Sequence, residues 1–134
     1  MLRRGELHWA SVPARHIVGQ EQHNHDGEEP RAYLIVSNDR LGARSRLVVA
    51  CPLSTSARDD AKLEAFRLPI TPDMVEVTPT DRGVLRPALL LCEQVRVMAW
   101  ERFPQPSRLG KLKPGAMAEV ELRLYVTFGL RPST

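Results

Sequence analysis

Short apolar runs, broken every few positions by proline, glycine or charge, set the rhythm of this 134-residue chain. Glu6 to Val12 alternates, with Leu7 and Trp9 on one face, and predicts a first strand. Ala32 to Ser37 is apolar at successive positions, the pattern of a strand covered on both faces, and Arg46 to Leu53 repeats it. Between the first two strands, Pro13 to Pro30 has no apolar periodicity, and connections of that length are usually functional loops. Ser54 to Glu64 reads as a second polar loop. Phe66, Leu68 and Ile70 then alternate with Ala65, Arg67 and Pro69, which predicts a strand buried on one face. Pro69 has no N–H to give a neighbour and places that strand at an edge. A loop rich in Thr, Pro and Asp runs to Pro87, followed by a strand from Ala88 to Glu93 with a short continuation through Val97.

The period changes near the C-terminus. Met117, Val120, Leu124 and Phe128 recur at three- and four-residue spacing, Pro114 suits a first helical position, and Gly129 supplies the stop. Glu119 and Glu121 fall in the half of this helix where the macrodipole favours anions, whereas Lys113 is a poor cap. The stripe is expected to pack on the sheet or on a partner subunit. Trp9 is expected in the core, and Trp100 beneath Phe103. Many short strands with one terminal helix give a mainly β chain. At this length, a single domain spanning residues 1–134 buries roughly two-thirds of its unfolded surface and needs neither disulfide nor structural metal.

Charge adds a lean toward polyanions. Net charge is +3, from 19 basic and 16 acidic residues, and Lys62, Lys111 and Lys113 are the only lysines. The guanidinium fork suits phosphates and base edges, although genome composition alone also produces arginine bias. Cys51 and Cys92 lie inside apolar runs without CxxC spacing and read as buried free thiols of a cytoplasmic protein. No stretch approaches the ~18 consecutive apolar residues of a membrane span.

Two of the apolar runs end in chemistry. RAYLIVSND, from Arg31 to Asp39, opens on a cation, and LLCEQVR, from Leu90 to Arg96, ends in an acid, an amide and a cation. Together with Arg4-Gly5-Glu6-Leu7 and Cys51-Pro52-Leu53-Ser54-Thr55, these motifs resemble the MazF/PemK family of toxins, in the same order and from about Arg4 to Leu130. The resemblance implies a small SH3-like barrel of the CcdB/Kid/MazF type with a C-terminal α-helix. It also implies a metal-independent, sequence-selective endoribonuclease without a cofactor, acting on single-stranded RNA and leaving 2′,3′-cyclic phosphate and 5′-hydroxyl ends. The expected assembly is a homodimer, and the expected second partner is a cognate antitoxin.

RNA can be cut by its own 2′-hydroxyl if the protein supplies a base, a hydrogen-bond donor and positive charge around phosphorus. The resemblance assigns these roles to Glu93, Ser54 and Arg31. Arg31 keeps its proton and serves as electrostatic stabiliser, with a structural ion pair to Glu28 or Glu29 as the plain alternative. The family usually follows this arginine with proline, and here Ala32 stands there. Thr55 offers a second hydroxyl one position on. Glu93 is either the base or an organiser of Arg96 or the Arg31 loop. One family branch carries an arginine two positions before this acid, a place taken here by Leu91. Gln94 and Arg96 suit base-edge and phosphate contacts, and Glu21, in Gly19-Gln20-Glu21, matches a loop acid that reads the substrate. His23 and His25 lie in the long loop, and His25 is an RNA contact or proton shuttle in this reading. HxH followed by Asp26 has no third ligand cluster to close a zinc shell, so no metal is expected. Two rivals remain: a CcdB-like inhibitor of DNA gyrase, and a catalytically inactive RNA-binding relative.

Overall fold

A computed structural model of the chain describes residues 1–12, 31–55, 61–83 and 86–130. Its strands are β1 (Glu6–Ala10), β2 (Arg31–Ile35), β3 (Leu47–Ser54), β4 (Arg67–Ile70), β5 (Val75–Glu76), β6 (Ala88–Leu91), β7 (Arg96–Ala99) and β8 (Arg108–Leu112). They pair antiparallel in the order β4-β6-β3-β2-β1-β8-β5, with β7 also against β3, in a single curled sheet. Helix α1 (Asp39–Ser45) joins β2 to β3, and helix α2 (Pro114–Phe128) follows β8. The mainly β architecture with a C-terminal helix is the one expected.

The central strands are apolar at successive positions because both sheet faces are covered. Leu7, Leu34, Cys51, Leu53 and Leu90 face one way and meet Ala116 and Val120 of α2. Tyr33, Ile35, Val48, Ala50 and Met98 face the other way, with Phe103 among them and Trp100 packed alongside, as expected. Trp100 also lies under the Arg46 guanidinium, 4.8 Å from the ring centroid. Trp9 is partly buried against the first cluster.

One irregularity shapes the functional end. β6 and β7 lie along the same side of β3, where Leu90 pairs with Leu53 and Arg96 with Ala50. Six steps of chain therefore match three steps of β3. A 3-10 turn at Cys92–Gln94 takes up the excess, so the strand expected to run through Glu93 stops at Leu91 and the acid stands out of the ladder.

Other departures are local. Phe66 belongs to a 3-10 turn (Glu64–Phe66), and β4 starts at Arg67, although it is the expected edge strand. The Asn38 side chain accepts the Arg40 N–H at 2.9 Å and starts α1, a helix the apolar pattern did not predict. That helix stops at Arg46 in the left-handed region, φ 58°, without the glycine that usually marks such an end. β5 and β8 were not expected. At Gly110 a β-carbon would lie 2.8 Å from the Glu76 carbonyl oxygen, so only glycine lets these strands meet. In α2, Ala116 and Val120 are buried and Met117 and Leu124 pack on the core, whereas Phe128 leaves the expected stripe and is 57% exposed. Pro114 and Gly129 (φ 68°) bound the helix as expected, and Lys113 gives it no side-chain cap.

The β1–β8 seam holds a buried polar chain. His8 Nδ1 is 2.8 Å from Ser107 Oγ, and its Nε2 is 3.0 Å from Glu6 Oε1. The Arg3 N–H donates to Glu6 Oε1 at 2.9 Å, and Arg108 reaches both Glu6 Oε2 (3.1 Å) and Asp81 (3.4 Å).

Candidate active site

The site follows from strand alternation. On β2, Tyr33 and Ile35 face the smaller cluster, which places Arg31 on that face as well. On β3, Ala50 has the same orientation, and Pro52 and Ser54 follow it. Tyr33 pairs with Pro52, the last pair of that ladder, and Arg31 and Ser54 lie two residues beyond it at the ends of their strands. Arg96 pairs with Ala50 and shares the face. Ser54 pairs with Leu89, and Arg67 pairs with Leu91 one strand further out, again on this side. One end of one sheet face thus gathers Arg31, Ser54, Arg67 and Arg96.

Burial separates two neighbouring hydroxyls. Ser54 is 1% exposed, whereas Thr55, one position beyond the strand, is open to solvent. Arg31, Glu93, Gln94 and Arg96 are half-buried. Glu21, His23 and His25 lie outside the described residues, as do Glu28 and Glu29.

Glu93 is claimed by a residue that the sequence did not advertise. Arg67 donates to its Oε2 from Nε at 3.0 Å and from Nη2 at 2.7 Å, and Nε also approaches Oε1 at 3.3 Å. The side chains are 13% and 19% exposed, so removing either partner would strand a charge in a poorly solvated place. The acid does organise an arginine, but from β4 rather than at Arg96 or the Arg31 loop. Reading Arg67 as the outward position of an edge strand hid this contact. It emerges only once the β4–β6 register sets Arg67 beside Leu91, two residues before Glu93.

Electrostatics reinforce the cationic character of this end. Burial pushes the Tyr33 phenol up, while the charges of Arg96, Arg31 and Arg102 pull against it. Three guanidinium groups therefore act on one buried hydroxyl. Neither Tyr33 nor Arg102 stood out in the sequence. Beneath Glu93, Cys51 and Cys92 are buried free thiols, as expected. The hydrogen bond with Cys92 and burial push the Cys51 thiol far up, with the charges of Cys92 and Glu93 adding to them, so it is a packing group and not a nucleophile.

A curled antiparallel sheet backed by one C-terminal helix is the fold of MazF-like proteins. An endoribonuclease from a Mycobacterial species, solved in complex with its cognate antitoxin, has TM-score 0.67 at 18% identity, covering 99% of this chain and 100% of that one. MazF from Deinococcus radiodurans gives 0.66 at 20% identity, with 96% and 97% covered. Mycobacterium tuberculosis toxin MazF-mt6 gives 0.64 at 13% identity, with 95% and 99% covered. No curated protein has a significant match to the sequence. The family model of PemK-like, MazF-like toxins of type II toxin–antitoxin systems matches residues 3–128, and the chain belongs to that family.

Proposed function

We propose that this protein is a metal-independent endoribonuclease that cuts single-stranded RNA at short sequences and is held inactive by a cognate antitoxin. The observation that carries the reading is the placement of Arg31 and Ser54 at the ends of adjacent strands, on one arginine-lined sheet face, in a chain of this toxin family. The structural similarity to an endoribonuclease bound to its antitoxin supports both the activity and the partner.

The nucleophile is the RNA's own 2′-hydroxyl, so the chemistry needs no metal-bound water. Glu93 takes the 2′-hydroxyl proton as the O2′–P bond forms. Arg31 holds the non-bridging phosphoryl oxygens as their charge grows, and Ser54 donates a hydrogen bond to them from a fixed, buried position. The P–O5′ bond then breaks, the 5′-oxygen takes a proton from water, the hydroxide left behind takes back the proton held by Glu93, and a 2′,3′-cyclic phosphate remains. Thr55, Gln94 and Arg96 line the approach and contact the RNA, and Glu21 and His25 belong to the loop proposed to read its sequence. The protein works in the cytoplasm as a homodimer.

Purified protein incubated with single-stranded RNA in EDTA tests this. Cleavage to cyclic-phosphate ends is expected, and intact RNA from folded protein would refute the assignment. Arg31→Ala should lower the rate by about 10²–10³, the usual cost of one oxyanion donor, with the circular dichroism spectrum unchanged. Mapping the new 5′ ends reads the sequence preference.

A further inference from the structure

We propose that Arg67 is the positioning residue of this site: it fixes the Glu93 carboxylate so that Oε1 faces the 2′-hydroxyl. The inference rests on the RNA-cleavage reading above and names the part of the machinery that makes its base competent.

Glu93 has little support of its own. The acid lies in a three-residue 3-10 turn with no side-chain cap hydrogen bond, outside the β-ladder that fixes its neighbours Leu91 and Arg96. A glutamate has three rotatable side-chain bonds, and a base must be held to within a fraction of an ångström to be effective. Arg67 supplies the constraint. Its two short hydrogen bonds, 2.7 Å and 3.0 Å, both end on Oε2, and only the longer 3.3 Å contact reaches Oε1. A carboxylate oxygen has two acceptor positions, so Oε2 is filled and Oε1 keeps capacity for a proton. The clamp thus selects the oxygen as well as the orientation.

Arg67 is itself well anchored. Its backbone pairs with Leu91, and its carbonyl oxygen accepts the Arg123 Nε–H at 3.3 Å, tying β4 to α2. Leu91, its cross-strand partner on the same side of the sheet, is fully buried. With a side chain only 13% exposed, Arg67 acts through Glu93 and not on the RNA. The bonds made and broken are those already written: the 2′-hydroxyl proton passes to Glu93 Oε1, and Arg67 neither gains nor loses one.

The experiment compares the full-length wild type with Arg67→Met, Arg67→Lys, Glu93→Gln and the Arg67→Met/Glu93→Gln double variant on a short RNA in EDTA, under steady-state and single-turnover conditions. Arg67→Met should lose about 100-fold in kcat, the cost of a misplaced catalytic group, while KM changes by less than about twofold. Lysine keeps the charge without the fork and should restore part of that loss. In the Glu93→Gln background, removing Arg67 should cost nothing further, because its effect runs through the carboxylate. A merely structural ion pair would lower the melting temperature and leave kcat of the folded enzyme intact, and that result overturns the proposal. Equal losses with and without Glu93 also overturn it. Should Arg67→Met fail to fold, Arg67→Lys carries the test by the same split between kcat and KM. A wild type that leaves RNA uncut overturns the nuclease reading itself, an outcome distinct from an active wild type indifferent to Arg67.

Discussion

Glu6 and Glu93 show how the same side chain is read differently by its surroundings. Glu93 was legible because it ends an apolar run, while its partner Arg67 was not, since cross-strand register is absent from a one-dimensional pattern. Glu6 starts the first strand as expected, and it is also the centre of a buried network. Burial acts to raise its carboxyl, but the hydrogen bond with His8, the Arg3 N–H and the charges of His8 and Arg108 outweigh it, leaving the group below the ordinary carboxylate range. A carboxyl that binds protons less well when folded stabilises the fold above its unfolded pKa, and that contribution is lost as pH falls through the lower folded value. Thermal unfolding followed from pH about 6 to about 3 should therefore show a steep loss of melting temperature in the wild type. Glu6→Gln should be less stable near neutrality, with a shallower slope into acid. Parallel curves would remove Glu6 from the account.

Elements were legible where a single segment carries its own signal. Period two gave β1 and the faces of β4, continuous apolar runs gave β2 and β3, and proline and glycine bracketed α2. Two of the misses share a cause, since each depends on a distant partner. The 3-10 turn that ends β6 exists because β6 and β7 share one side of β3. β5 is two residues long and is defined by its contact with β8. That contact depends on Gly110, whose missing side chain leaves room for Val75 Cγ1, 2.6 Å from where a β-carbon would stand, and for the Glu76 carbonyl. Gly110→Ala should cost about 1–3 kcal/mol, because a backbone carbonyl cannot swing aside as a side chain can. Chemical denaturation checks the magnitude. Hydrogen exchange should locate the loosening at the Lys113 N–H, which donates to the Met74 carbonyl at 2.9 Å next to β5.

At the scale of the whole molecule, α2 is a helix with two apolar sides. Ala116 and Val120 are buried in the sheet's larger cluster, while Leu122, Tyr125 and Val126 recur at helical spacing on the far side and are 49%, 37% and 48% exposed. A surface helix normally turns charge outward there, and a helix apolar all round is one that is buried on both sides. Between the exposed stripe and Arg4 lies a cleft of about 370 Å³, lined also by Glu121, Leu124, Phe128 and Leu130 and bridged by the 2.8 Å Arg4–Glu121 ion pair. The proposed homodimer gives this stripe a partner of the same kind, and a two-fold contact is self-complementary by symmetry. Leu122→Asp with Val126→Asp sets two carboxylates on that stripe without touching the buried side. In light scattering at fixed concentration, the wild type should weigh twice the chain mass and the double variant once, with the helical signal retained. A variant that remains dimeric would move the interface away from α2 and leave its outer stripe for the antitoxin.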